Sequence, residues 1–406
     1  MRILIYGINY TPELTGIGKY SGEMAEWLAS KGHDIRVVTA PPYYPDWKVF
    51  KNYAAWQYRT ERTSGVKIYR CPVWVPRIPK GIYRIFHLAS FAVSSIPIML
   101  QQIYWRPSIV IVVEPPLFCA PLTLLVARAC RAKTILHIQD FEIDAAFDLG
   151  LLSSEKLRKV ITKMEKWVLK RFDRVTTISD KMMERATSKG VDDKKCILFP
   201  NWVDTTSIFP LSDTNPFRTE LGIDKQVVVF LYSGSMGEKQ GLEIITDAAR
   251  QLLADARLLF VMCGQGGSLT RTRSLATGLN NIIWIPLQPL DKLNNLLNLA
   301  DVHLLPQRKD AADLVMPSKL TGMLSSGKSI LATAAVGTQI EKIVKSTGIV
   351  VPPEDSKAFV NAILKFVNDE KFRAAKGEAA REYAEHKLDK QIILQSFNKS
   401  LAELMK

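Results

Sequence analysis

Acid is scarce at the front of this sequence. Residues 1–200 hold 18 Asp and Glu against 30 Lys and Arg, a surplus of 12, whereas residues 201–406 hold 22 against 24. The 406-residue chain therefore carries its formal charge of +14 almost entirely in one half. Cysteine is scarce as well. Cys71, Cys119, Cys130, Cys196 and Cys263 lie far apart with no CxxC pair. That excludes a disulfide frame and a cysteine zinc site, and fits small buried side chains in a reducing compartment. Long apolar runs are missing. The nearest approach, Ile85 to Leu100, is broken by His87, three serines and Pro97, and is too short and polar to span a bilayer. It fits a buried helix or one lying in a membrane interface. There is no internal repeat and no low-complexity tract, and the opening Arg2–Gly7 reads as a strand rather than as a leader.

What remains is the composition of a globular protein: 47% hydrophobic, 9% aromatic and 23% charged. The length suits two domains. Short apolar runs alternate with amphipathic helices, the pattern of βαβ units on parallel sheets. The predicted strands of the first half are Arg2–Gly7, Asp34–Thr39, Val66–Arg70, Ile109–Val113, Thr134–Ile138 and Arg174–Ile178. Helices over Lys19–Lys31, Ile82–Tyr104, Pro121–Arg131 and Lys156–Arg171 fall between them. After Asn201-Trp202 the pattern restarts, with strands at Val227–Tyr232, Leu258–Cys263, Ile282–Pro286, Val302–Leu305, Ser329–Thr333 and Gly348–Val351. Two doubly wound α/β domains facing across a cleft are expected. The first covers 1–198 with a returning C-terminal helix at about 386–406, and the second covers 199–385. Ligands of such folds bind beyond the carboxyl ends of the strands.

The surplus of cations is densest between Lys48 and Arg84. There Lys51, Arg59, Arg62, Lys67, Arg70, Arg77 and Lys80 are interleaved with Trp47, Trp56, Tyr58, Trp74 and Tyr83. The mixture suits the boundary between anionic headgroups and acyl chains, and equally a solvated face over an aromatic cluster. No recognised DNA or RNA module accompanies it, so nucleic acid is not the expected partner.

Two loops could hold phosphate. After the first strand, Gly16 and Gly18 open a helix, where bare N–H groups can meet an anion. The spacing is not GxGxxG and no acid closes the second strand, so a dinucleotide site is disfavoured. In the second half, Tyr232-Ser233-Gly234-Ser235-Met236-Gly237-Glu238-Lys239 runs from a strand into a glycine turn with a lysine at its mouth. That combination suits a diphosphate, and the missing GK[ST] ending argues against a P-loop. Gln265 and Gly266, after the next strand, could approach a nucleotide base.

Taken in order, YGINYTPELTGIGKYSGEMAEWLASKGHDIRVVTAPPYYPDW, LHIQDFEIDA, FPNWVD, YSGSMGEKQGLE and MPSKL resemble the retaining GT-B glycosyltransferases of family 4. Within them they resemble the fucosyl-transferring enzymes of colanic acid and related exopolysaccharides. The resemblance covers nearly the whole chain. It implies a nucleotide-sugar donor, GDP-fucose first among candidates, held mainly by the second domain. The implied acceptor is an undecaprenyl-diphosphate-linked saccharide, met by the first domain at the inner face of the cytoplasmic membrane.

Carried over by motif, Gly16 and Gly18 would face the donor diphosphate. His137 would reach the transferred sugar, with Asp140 supporting it. Asn201 would lie at the interdomain junction, and Gly234, Ser235 and Lys239 would hold the leaving diphosphate. Gln265 and Gly266 would serve the nucleotide. Glu13, with Tyr10, would bind acceptor hydroxyls. The family's arginine after the diphosphate strand and its lysine before the last glycine are here Ser235 and Gln240. Its paired glutamates would fall near Ala311 and Lys319, so Ser318 and Lys319 would take over the ribose contact. No cofactor or metal is expected: no DxD pair follows a strand, and Glu142-Ile143-Asp144 reads as helix. A nucleotide-sugar epimerase of the same two-domain fold is the alternative reading.

Overall fold

The computed structural model describes residues 1–14, 16–78, 81–141, 155–212, 215–309 and 317–406. Thr15, Lys80, the Glu142-Ile143-Asp144 run, Ala311 and Met316 lie outside the described residues. The chain forms two compact units, Met1–Pro200 with Leu394–Lys406, and Asn201–Ile393.

The first unit is built on β1 (Arg2–Tyr6), β2 (Asp34–Thr39), β3 (Arg59–Thr63), β4 (Val66–Arg70), β5 (Ile109–Glu114), β6 (Lys133–Ile138), β7 (Arg174–Thr177) and β8 (Cys196–Leu198). Their order in the sheet is β3-β4-β2-β1-β5-β6-β7-β8. All neighbours pair parallel except β3 with β4. The central β1 and β5 are apolar along nearly their whole length and buried, as strands covered on both faces must be. β3 was not foreseen, because Arg-Thr-Glu-Arg-Thr carries no apolar signal. A charged strand at a sheet edge discourages further pairing.

The apolar stretch expected as one helix over Ile82–Tyr104 is two, Ile82–Ser94 and Ile96–Trp105, broken at Ser95. Pro97 stands at the start of the second, where its missing N–H costs nothing. Leu88, Phe91, Met99, Gln102 and Trp105 turn inward and are buried. Ile82, Tyr83, Phe86, Val93, Leu100 and Tyr104 are exposed, Tyr104 at 91%. The pair of helices therefore has an inner face that is buried and an outer face that is apolar and exposed.

The second unit carries β9 (Val228–Ser235), β10 (Leu258–Gln265), β11 (Ile282–Ile285), β12 (Val302–Leu305), β13 (Ser329–Thr333) and β14 (Gly348–Val351). All neighbours are parallel, in the order β11-β10-β9-β12-β13-β14. Strand order reverses between β9 and β12, so loops leaving their carboxyl ends diverge and leave a crevice, the usual ligand position of an open α/β sheet. The C-terminal helix begins at Lys390, four residues later than the expected start, after a π-helical turn over Ala384–Leu388. Its first residues belong to the second unit, and from Leu394 it belongs to the first.

Candidate active site

In the first unit the loop after β1 is organised around Glu13. Its Oε1 accepts the backbone N–H of Tyr43 and of Tyr44, each at 3.0 Å, and its Oε2 accepts Asn9 Nδ2 at 3.0 Å. The residue is only 2% exposed, and burial holds its carboxyl above the ordinary range against the pull of those donors. This corrects its expected role. Three donors hold its buried carboxylate within the loop, so Glu13 serves as a scaffold and is not exposed to meet acceptor hydroxyls. Tyr10 lies beneath it, 1% exposed.

Gly18 is buried, and a Cβ there would stand 2.5 Å from Glu13 Oε2. Its lack of a side chain admits the glutamate rather than an anion. Gly16 differs. It has φ +59° with only Tyr44 Cε1 near its Cβ position, at 3.7 Å, so it alone of the two combines a left-handed backbone with open space.

Arg70 was expected on the basic surface, and it is 2% exposed. Its guanidinium bonds Glu61 Oε1 at 2.6 Å, Ala40 O at 3.0 Å and Thr11 O at 2.6 Å. It ties the loop after β1 to β4, a role that its place among exposed cations hid.

His137 sits near the carboxyl end of β6, 4% exposed. Its Nδ1 lies 2.9 Å from Thr176 Oγ1 and its Nε2 2.8 Å from the Gln139 amide nitrogen. With that amide donating to Nε2, the Nδ1–H donates to Thr176. Thr176 and Gln139, not Asp140, therefore fix the ring. Burial pulls its pKa down to about 4, so the imidazole is neutral at pH 7. The ring also packs on Phe199, whose own ring stacks on Phe397 of the C-terminal helix at 4.0 Å.

In the second unit the two glycine loops are sewn together at the carboxyl ends of β9 and β10. Met236 N–H donates to Gln265 O at 2.7 Å, and Ser268 N–H to Met236 O at 2.9 Å. A Cβ on Gly266 would stand 2.3 Å from Met236 O, so close packing of the loops demands a glycine there. Gln240 folds back to accept Gly237 N–H at 2.9 Å, which explains an amide where the family has a lysine: it clasps the turn. Lys239 is exposed, and among the described residues nothing pairs with its ammonium. Its carbonyl accepts Arg308 N–H at 3.0 Å, so the loop beyond β12 is fastened to the loop beyond β9.

Arg308 and Arg271 also bind Glu243 at 2.8 and 3.3 Å, beside a 270 Å³ cavity lined in part by Gly241, Thr333 and Glu354. Neither arginine carried a motif signal. Lys319, in the first turn of the helix Ser318–Ser325, lies over Tyr232 and Gly234 of β9. Ser318 is exposed at the same helix start, Ser235 is exposed at the end of β9, and Asn201 is buried at the first residue of its unit.

The glycosyl transferase 4-like domain matches residues 15–202, and the glycosyl transferases group 1 domain matches residues 213–383. WcaI of Escherichia coli (strain K12), named as a colanic acid biosynthesis glycosyl transferase, is 44% identical over 98% of each chain. The chain belongs to the glycosyltransferases. Its two α/β units have the GT-B fold, shared with solved structures of low identity. Sucrose-phosphate synthase from Thermosynechococcus elongatus superposes with a TM-score of 0.72 at 16% identity, covering 100% of this chain and 99% of the other. HepE of Anabaena, solved with UDP, gives 0.71 at 14% identity, covering 99% and 100%. With the glycosyltransferase family established, the epimerase alternative is set aside.

Proposed function

We propose that this glycosyltransferase moves fucose from GDP-fucose to an undecaprenyl-diphosphate-linked saccharide during assembly of a colanic-acid-like exopolysaccharide. The observation that carries the reading is the 44% identity with WcaI over 98% of each chain, which takes in both units. The donor is assigned to the second unit, where the joined loops after β9 and β10 stand beside the β9/β12 switch point. HepE, which shares the fold, is described in complex with UDP.

The reaction has one main obstacle, negative charge growing on the departing diphosphate. Loop N–H groups, fixed before the reaction, and the exposed Lys239 ammonium would stabilise it without calling for a metal. In the proposed retaining course, the acceptor oxygen forms its bond to the anomeric carbon on the face from which the diphosphate leaves. The acceptor proton passes to the departing phosphate oxygen. His137 is neutral and both its ring nitrogens are engaged by Thr176 and Gln139, so its proposed part is to shape the sugar site and not to donate a proton.

Membrane contact is proposed for the first unit, at the inner face of the cytoplasmic membrane. The outer face of the helices Ile82–Ser94 and Ile96–Trp105 supports it, as do exposed Trp56, Tyr58, Trp74 and Ile78 nearby in sequence. A further stripe of Val160, Met164 and Trp167 is exposed among Lys159, Lys163 and Lys166. The test is transfer of label from GDP-fucose to lipid-extractable saccharide in membranes that hold the unfucosylated intermediate, with UDP- and dTDP-sugars in parallel. Label entering the lipid fraction from a different donor would replace fucose. No transfer from any donor would defeat the acceptor assignment.

A further inference from the structure

Lys319 holds an unusual position for a lysine. Its Nζ stands 4.5 Å from the centroid of the Tyr232 ring and 3.4 Å from that residue's Oη. Its stem passes Gly234 so closely that a Cβ there would touch Cδ at 3.4 Å. The residue is partly accessible, yet the packing around the ammonium is dense enough that burial draws its pKa down to about 8. Among the described residues no carboxylate lies within ion-pair distance of it. Tyr232, on β9, is the titratable group in contact with it, and burial keeps that phenol protonated. No charged group adds to the effect of burial on Lys319.

An ammonium drawn out of water without a counter-ion is costly, and the cost is offset when an anion arrives. The surroundings favour an anion a second time. The helix Ser318–Ser325 starts at Pro317, and among the described residues no side chain caps it, so the positive end of its dipole adds to the attraction for an anion. Both features face the carboxyl end of β9, next to Gly234 and the exposed Ser235. A ribose hydroxyl would leave the charge unneutralised; a phosphate would not.

We propose that the Lys319 ammonium binds the diphosphate of the nucleotide-sugar donor, supplying at the end of β9 the cation that Ser235 and Gln240 do not. The proposal rests on the second unit being the donor-binding unit. It changes the part assigned to Lys319, from a ribose contact to the partner of Lys239 on the diphosphate. Gly234 itself is held at φ +132°, a conformation that favours glycine, with the lysine stem in ordinary contact beside it.

The experiment is calorimetric binding of GDP against GMP, UDP against UMP and dTDP against dTMP, to the wild type, Lys319→Met and Lys319→Arg at pH 7. Methionine keeps the stem and removes the charge. Lys319→Met should weaken binding of the preferred diphosphate about 10- to 100-fold and shrink its advantage over the monophosphate. Lys319→Arg should restore that advantage. In the wild type the advantage should fall as pH rises from 7 to 9.5, because only the protonated lysine attracts the diphosphate. The arginine variant should show no such fall. An undiminished diphosphate advantage in Lys319→Met overturns the proposal. Failure of the wild type to bind any of the three diphosphates overturns instead the reading of this unit as the donor site, and the proposal with it. Should the methionine variant not fold, Lys319→Gln removes the same charge and is measured in the same way.

Discussion

Lys239 and His303 show how differently two side chains of one unit use their surroundings. Lys239 is exposed at the mouth of the β9 loop, free to meet a developing charge. Lys239→Ala should lower kcat by about 10²-fold, the usual scale for losing one preorganised charge stabiliser, with GDP release as the readout. His303, on β12, is fully buried with Nε2 2.9 Å from Ser326 Oγ, and burial pulls its pKa to about 3. His137 and His87 are likewise drawn to about 4. An unfolded chain takes up protons on histidine near pH 6.5, while the folded one does not until far lower. These three residues should therefore subtract stability as pH falls from about 6.5 towards 4. The raised carboxyl of Glu13 acts in the opposite sense, favouring the fold as pH drops. The urea midpoint should fall between pH 7 and pH 5, and by less in a His303→Gln variant. An equal fall in both proteins would remove His303 from the effect.

At the level of elements, the glycine loops carry the sharpest expectation. Gly266→Ala places a Cβ against Met236 O, whereas nothing lies within 4 Å of a Cβ at Gly267. The first change should lower Tm and weaken binding of GDP or UDP; the second should leave both near wild type. Similar losses in the two variants would mean that the loops are not packed as described. The strands show why much of this was legible beforehand. Buried parallel strands such as β1, β5 and β9 announce themselves as unbroken apolar runs, and the loops that follow them could be placed by counting. What stayed hidden was partnership. Nothing in the spacing says that Glu13 faces inward, that Gln240 clasps its own turn, or that Arg70 leaves the basic surface for Glu61. Each is a contact between residues distant in sequence or a local turn closed by a flexible side chain, and neither has a period to read. β3 escaped for the complementary reason, being an edge strand with no apolar face.

Over the whole molecule, the charge asymmetry needs restating as a surface. Arg70 is withdrawn from it, while Lys51, Arg62 and Arg77 remain exposed. Replacing Phe86, Leu100 and Tyr104 with serine should reduce sedimentation with phosphatidylglycerol vesicles several-fold at moderate salt while leaving nucleotide binding intact. Neutralising Lys51, Arg62 and Arg77 should weaken it mainly at low salt. Sedimentation indifferent to both sets would return these residues to ordinary solvated surface. The division of the C-terminal helix between the two units has a consequence for biogenesis. Phe397 supplies the stacking partner of Phe199, yet it is synthesised after the entire second unit. The first unit cannot close this part of its core as it leaves the ribosome, so the usual rule of N-terminal domains maturing first should not hold for it. A nascent chain halted at residue 200 should be sensitive to protease, and protection should come only once residues 394–406 have emerged.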